Sequence, residues 1–340
     1  MDTVRLVEPG RLERFQSAEP EAPGPGQALV QVRSIGICGT DVHAFFGRQP
    51  FFDYPRILGH ELGVEVLAVG EGVEGLPLGA RCAVLPYLEC GNCVACRRGR
   101  PNCCSNLQVM GVHIDGGMRE RMLVPADKLF FHPDLTFDQL ALVETLGIGT
   151  HAVARAGIEA GETVLVVGLG PIGLGALQAA RARGAEVVVV DAAESRLRFA
   201  REVFGVERTF DASEDLEDRL MSALGGELPT AVLDATGHPA SMDRAPTLCA
   251  PSGRVVFVGL HKGDVRFPDA LFHRRELTLM ASRNGTAAEF REVLDGMARG
   301  AIDTAPWITH ETRLESIADD LPRFADPASG VLKAVLRIDA

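Results

Sequence analysis

The sequence predicts an α/β chain in which a doubly wound parallel sheet is inserted into a mostly β module. Three observations carry that expectation. The first 130 residues hold short segments that alternate apolar and polar, separated by Gly and Pro. From about residue 147 the pattern turns into continuous apolar runs, such as Thr163–Val167 and Val187–Val190, spaced by helical stretches, as strands buried on both faces require. Near the end, Val331–Ile338 again reads as a strand, and the tail is expected to return to the first module. The expected bounds are 1–147 for the β module, 148–281 for the parallel-sheet unit and 282–340 for the returning tail.

With 340 residues, 46% of them hydrophobic, the chain has material for two cores. Its 34 Lys and Arg against 46 Asp and Glu give a net charge of −12, which argues against nucleic acid or an anionic membrane as the main partner. The opening Met1-Asp2-Thr3 has no basic segment leading into an apolar core, and no apolar run reaches the roughly 18 residues of a membrane helix. A cytoplasmic protein is expected. Five of the eight cysteines crowd between Cys90 and Cys104, which in a reducing compartment reads as metal binding rather than disulfide bonding.

In the first module, residues 27–35 follow a turn-rich stretch and alternate as a half-buried strand does; 62–69 and 80–85 read alike. Cys38 is placed where the first of these runs out into a loop, within Gly36-Ile37-Cys38-Gly39-Thr40-Asp41-Val42-His43. Gly59-His60-Glu61 follows the extended Tyr54–Leu58. Cys38, His60 and Glu61 offer a thiolate, an imidazole and a carboxylate, the usual zinc ligands, and three protein ligands with one open position make a catalytic site. A lone His43 or His60 would more often be an ordinary polar residue. Six residues of suitable type in one short pattern reverse that reading.

Next comes Cys90-x2-Cys93-x2-Cys96-x7-Cys104, inside a lobe of about residues 88–106. Four thiolates can close a tetrahedron around zinc with no open position, the structural kind of site. Cys103 competes with Cys104 for the fourth place, which is assigned to Cys104. The plainer alternative is a set of free or redox-active thiols. Cys82 and Cys249 lie in apolar patterns and read as small buried residues.

In the parallel-sheet unit, the Thr163–Val167 run enters Gly168-Leu169-Gly170-Pro171-Ile172-Gly173, a helical stretch follows to Gly184, and a second strand ends in Asp191. A lone Gly-x-Gly-x-x-Gly is weak evidence. Between a strand and a helix, with an acid about 20 residues on, it is a dinucleotide fingerprint: glycines let the backbone approach a pyrophosphate, and the helix N-terminus offers unpaired N–H groups. Asp191 would accept bonds from the ribose hydroxyls and repel a 2′-phosphate, which favours NAD; Arg196, a cation five residues on, pulls the other way. The strand ends leading to Thr236 and to Val258-Gly259 are placed beside the nicotinamide half. Leu277–Met280 completes the sheet, and Glu289–Arg299 reads as an amphipathic helix.

With these motifs in order over essentially its whole length, and Trp307-Ile308-Thr309-His310 near its end, the chain resembles the zinc-containing medium-chain dehydrogenases, the alcohol and polyol dehydrogenases. The resemblance implies a GroES-like catalytic domain split around a Rossmann domain, with the active site in the cleft, two zinc ions (one catalytic, one structural), NAD, and a homodimer or homotetramer. It places Glu144, in Leu142-Val143-Glu144-Thr145-Leu146, as the third protein ligand, as in the sorbitol and threonine dehydrogenase branch. The residue after that glutamate is usually proline there; here it is Thr145. Glu61 would replace Glu144 or alternate with it. Thr40 and His43 would relay the proton released from substrate, and Asp41 would fix the tautomer of His60.

Gln49-Pro50-Phe51-Phe52 before Tyr54-Pro55-Arg56, Gly111-Val112-His113 with Gly116-Gly117, and Ser282-Arg283-Asn284 are similar to sugar-acid dehydrogenases of the L-galactonate type. His113, Arg283 and Asn284 are therefore candidate substrate contacts, and the Arg283 guanidinium suits a carboxylate. Phe45 and Phe51 either wall the pocket or fill a core. The expected reaction is hydride transfer to NAD from a secondary alcohol: a sugar acid, a polyol as in sorbitol dehydrogenase, or a hydroxy amino acid as in L-threonine 3-dehydrogenase. Two competing readings are a zinc-free quinone or enoyl reductase, against which Cys38, His60 and the four cysteines speak, and a non-catalytic zinc-stabilised dinucleotide-binding protein.

Overall fold

The computed structural model describes residues 1–49 and 52–338. The chain divides into two compact units: residues 1–144, 286–298 and 303–340 form the first, and residues 145–285 with 299–302 form the second. These bounds differ from the expected ones by a few residues. The reason at the first boundary is that one continuous helix, Val143–Ala156, runs through position 147. The stretch 299–302 belongs with the second unit, although the tail as a whole was assigned to the first.

The first unit is built on a seven-stranded sheet. Its order runs Ile308–Arg313, Lys333–Arg337, Gln27–Ile37, Glu61–Val69, Arg81–Val84, Leu129–Phe131, with Arg121–Pro125 pairing onto Gln27–Ile37. The Gln27–Ile37 strand is the hub. Its register shift between Val32 and Ser34 resets the alternation, so Val30, Val32 and Ile35 all reach the core with Leu62, Val64 and Val66. Each such side chain contributes about 1.5–3 kcal/mol when fully buried. On this strand Gly36 pairs with Glu61 on one side and Val335 on the other. That register brings the Lys333–Arg337 strand, from the chain's last residues, alongside Cys38 and His60.

The expected loop after Cys38 is instead a short helix, Gly39–Phe45. Cys38 is its N-cap, and Asp41 closes a capping box with it. The alternation that marks the preceding strand has no power to show one or two helical turns.

The second unit is a six-stranded, all-parallel sheet in the order Thr209–Asp211, Glu186–Asp191, Thr163–Val167, Ala231–Asp234, Arg254–Phe257, Thr278–Ala281. This is the 3-2-1-4-5-6 order of a doubly wound dinucleotide-binding sheet. The inner strands are buried on both faces, as their unbroken Val and Leu runs foretell. Thr209–Asp211, three residues long, left no legible run in the sequence. Among the described residues, no helix is long and apolar enough to cross a membrane.

Candidate active site

Ligand atoms of Cys38, His60 and Glu61 lie within 4.8 Å of one another in the first unit. Cys38 enters at the end of the hub strand and His60 from the turn just before the next. Asp41 stands behind His60: its Oδ2 accepts the Cys38 N–H at 2.9 Å, and its Oδ1 lies 3.7 Å from His60 Nδ1. Neither Asp41 Oδ1 nor His60 Nδ1 has a hydrogen-bond partner among the described residues, and both are buried. Because Thr40 and His43 are on a helix three positions apart, they share a face, with Thr40 half-buried and His43 exposed.

Two buried carboxylates act on Cys38 and His60, Glu61 within the gathered group and Glu144 outside it but close enough to act on His60 electrostatically, and the chain holds them differently. Glu61 is ion-paired to Lys333; at 1% and 2% side-chain exposure the pair is out of water, so removing one partner would leave the other's charge poorly compensated. Gly36 makes room for it, since a Cβ there would overlap the Glu61 carboxylate. Glu144, in the first turn of its helix, accepts a hydrogen bond on Oε1 from the buried Tyr87 hydroxyl. Its Oε2 is buried with no hydrogen-bond partner among the described residues.

The electrostatics follow from that crowding. Burial disfavours a charged imidazole, but Asp41, Cys38 and Glu144 outweigh it and hold His60 well above its ordinary pKa. Burial pushes Asp41 and Glu144 up, against the pull of His60. Burial, then the Glu144 charge, keeps the Tyr87 phenol neutral and able to donate. A half-buried thiol beside a buried imidazole and buried carboxylates with orphaned polar atoms forms a donor set that suits a borderline-soft dication such as zinc.

The second group is Cys90, Cys93, Cys96 and Cys104, again within 4.8 Å. The Cys93–Cys96 and Cys90–Cys104 sulfurs are 3.4 and 3.5 Å apart. Those are close to the edges of about 3.8 Å that a tetrahedron with Zn–S near 2.3 Å requires. Backbone N–H groups aim at the sulfurs: Cys96 N at Cys93 Sγ, and Cys90 N and Asn106 N at Cys104 Sγ. The Cys96 N–H, with Ser105, lowers the Cys93 thiol to about 5. Cys103 is exposed and outside the group; Cys82 and Cys249 are buried.

In the second unit, Gly168 adopts φ +89, and a Cβ on Gly173 would overlap the Gly168 carbonyl, so the turn closes only with glycine at both places. Gly170 is the N-cap and Pro171 the first residue of the Pro171–Ala182 helix, which also carries Ile172. A Cβ on Gly170 would meet only the Arg196 guanidinium, at 3.9 Å, so that face of the turn is open to a phosphate. Asp191 accepts from Leu169 N at 2.6 Å and Ala193 N at 2.8 Å, and lies 3.7 Å from Arg196. Thr236 packs beside Gly168 and bonds Asp234, whose carbonyl receives the N–H groups of Val258 and Gly259.

Of the candidate substrate contacts, His113 belongs to the first unit and Arg283 and Asn284 to the second. His113 Nδ1 accepts from Val109 N at 3.0 Å, which commits that nitrogen to its own turn. Arg283 is exposed, and Asn284 sits at φ +55 in the second unit. Phe45 is buried in the core of the first unit, whereas Pro50 and Phe51 lie outside the described residues. Sequence reasoning missed Tyr87, Lys333 and the purpose of Gly36. A lysine inside the apolar Val331–Ile338 run was the one available signal; a tyrosine three residues before Cys90 gave none.

Family models for an alcohol dehydrogenase GroES-like domain and a zinc-binding dehydrogenase match residues 24–134 and 171–299. The chain is 41% identical over 322 residues to an L-galactonate-5-dehydrogenase of Escherichia coli K12, covering 95% of each. It superposes at TM-score 0.91 and 33% identity on the alcohol dehydrogenase rspB of Escherichia coli CFT073, solved with NADH, over 99% of both chains. The same score, at 32% identity and 99% of both chains, relates it to a zinc-binding dehydrogenase of Sinorhizobium meliloti 1021 bound to NADP. The chain is therefore a member of the zinc-type medium-chain dehydrogenases, the enzyme family of the alcohol and polyol dehydrogenases.

Proposed function

We propose that the enzyme oxidises a secondary alcohol of a sugar acid with NAD, using one zinc held by Cys38, His60 and Glu144 and a second held by Cys90, Cys93, Cys96 and Cys104. The observations that carry this are the gathered ligand atoms of Cys38, His60 and Glu61 backed by Asp41, and beside them the buried Glu144, whose Oε2 has no hydrogen-bond partner among the described residues. When bound, the zinc supplies Lewis acidity toward a hydroxyl and the nicotinamide accepts the hydride. The chain's own work is proton handling and placement. The Thr40 hydroxyl accepts the proton of the substrate hydroxyl on Oγ1 while giving its own hydrogen onward, and the His43 ring, exposed on the same helical face, takes that proton up and releases it to solvent. Asp41 holds the His60 ring in orientation. Lys333 holds Glu61 in an ion pair, which favours Glu144 as the third ligand.

The preference for NAD rests on Asp191, a buried carboxylate at the glycine turn that a 2′-phosphate would approach unfavourably. The sugar-acid class rests on the likeness to the L-galactonate enzyme and on Arg283 as a carboxylate partner. A homo-oligomer is part of the reading: Thr278–Ala281 is the outer strand of its sheet, with Leu279 exposed, an edge that a second copy would extend.

The test is NADH formation across aldonates, polyols and L-threonine, with and without a chelator, on protein of measured zinc content. Turnover of an aldonate that the chelator abolishes is expected. Zinc-loaded protein that reduces NAD with no alcohol of the panel would overturn the proposal.

A further inference from the structure

Tyr87 belongs to a two-residue strand, Tyr87–Leu88, paired with Gln108–Val109. This ribbon is the root of the thiolate lobe, since Cys90 follows one strand and Cys104 precedes the other. It also carries one side chain to the start of the Val143–Ala156 helix. There the Tyr87 hydroxyl, buried, donates to Glu144 Oε1, while Glu144 Oε2 keeps no hydrogen-bond partner among the described residues. The carboxylate is thus engaged at one oxygen and available at the other. Glu61, by contrast, is held by Lys333.

We propose that Tyr87 is a positioning residue for the metal centre: its hydroxyl fixes one oxygen of Glu144 and so presents the other to the cation that Cys38 and His60 hold. This rests on the reading of Glu144 as the third ligand. A carboxylate turned by one firm hydrogen bond loses less freedom on ligation, and partners of this kind are worth 10–100-fold in metal affinity or activity. Without the hydroxyl, Glu144 swings freely, and both of its oxygens compete for the cation.

The full-length protein carries the test, with cobalt in the mixed site and zinc in the lobe, as wild type, Tyr87→Phe, Glu144→Gln and the double variant. Three quantities are read: the visible ligand-field spectrum, the rate of cobalt loss to a chelator, and kcat with KM for NAD. Tyr87→Phe is expected to shift the spectrum, speed cobalt loss about 10–100-fold and lower kcat with KM for NAD unchanged. The double variant should release cobalt no faster than Glu144→Gln alone, because Tyr87 acts only through Glu144. A role in folding alone would add to the Glu144→Gln effect and lower the melting temperature. Tyr87→Phe matching wild type in spectrum and release while Glu144→Gln differs would overturn the proposal and leave the ligand assignment standing. If Glu144→Gln itself leaves both unchanged, Glu144 is no ligand, and the assignment fails together with the proposal.

Discussion

The two candidate metal groups lie in the same unit and are built on opposite plans. The lobe gathers four like groups close to the surface, and the peptide N–H groups of its own turns steady the sulfurs. The mixed site gathers unlike groups in a buried pocket, and other side chains steady them: Asp41 behind His60, Tyr87 on Glu144, Lys333 on Glu61. The first plan is local and closes on itself. The second draws on positions from 36 to 333 and keeps polar atoms unsatisfied. A closed set of thiolates suits a staple, whereas an unequal, incompletely satisfied set suits a centre that exchanges ligands with a substrate.

The contrast can be broken most directly at the ligands. Cys38→Ser should lower kcat by more than about a thousandfold, of the order seen when a group acting in the transition state is removed. NAD binding, followed by fluorescence, and the lobe's metal should stay intact; retained turnover would end the assignment of a catalytic metal. Cys93→Ser should do the reverse, with loss of one metal per chain and a melting temperature lower by several degrees, activity falling only as the fold loosens.

Lys333→Met comes next. It removes the buried cation that faces Glu61, at a cost of about 3–5 kcal/mol in unfolding by denaturant. Adding Glu61→Gln should recover most of that loss, and a single variant as stable as wild type would mean that the pair is not buried in solution. Asp41→Asn should weaken the mixed site's metal affinity about 10–100-fold and leave the lobe untouched. In the other unit, Asp191→Ala should cost NAD about tenfold in affinity, roughly one charge-assisted hydrogen bond, and raise the NADP to NAD ratio. The smallest expected effect is Cys103→Ser: exposed and outside the thiolate group, it should change neither metal content nor stability.

Legibility from sequence divided along the same line. The lobe and the glycine turn were readable because each is a local device, in which spacing along the chain is nearly spacing in space. Strands buried on both faces announced themselves as valine and leucine runs, while Thr209–Asp211 was too short to do so. Of the mixed site, Cys38, His60 and Glu61 could be read from residue type in a short pattern. Glu144 came from the family likeness alone. Tyr87 left no signal and Lys333 only that of a lysine in an apolar run, because what places them is pairing between distant strands: Tyr87 with Val109, and Ala334 with Ile37. The helix holding Thr40 and His43 was read as a loop, since seven residues carry too little periodicity to declare a helix.

Gly36 has a consequence for how such a chain can change over time. Its missing side chain is the space that Glu61 occupies, and Glu61 is ion-paired to a lysine 272 positions further along the chain. Positions 36, 61 and 333 therefore cannot drift one at a time: alanine at 36 evicts the carboxylate, and an evicted carboxylate takes the buried ion pair from the lysine. Any route to a differently charged floor under the metal must pass through a strongly destabilised single mutant or alter all three together. A library that randomises only the residues nearest the substrate would never find it.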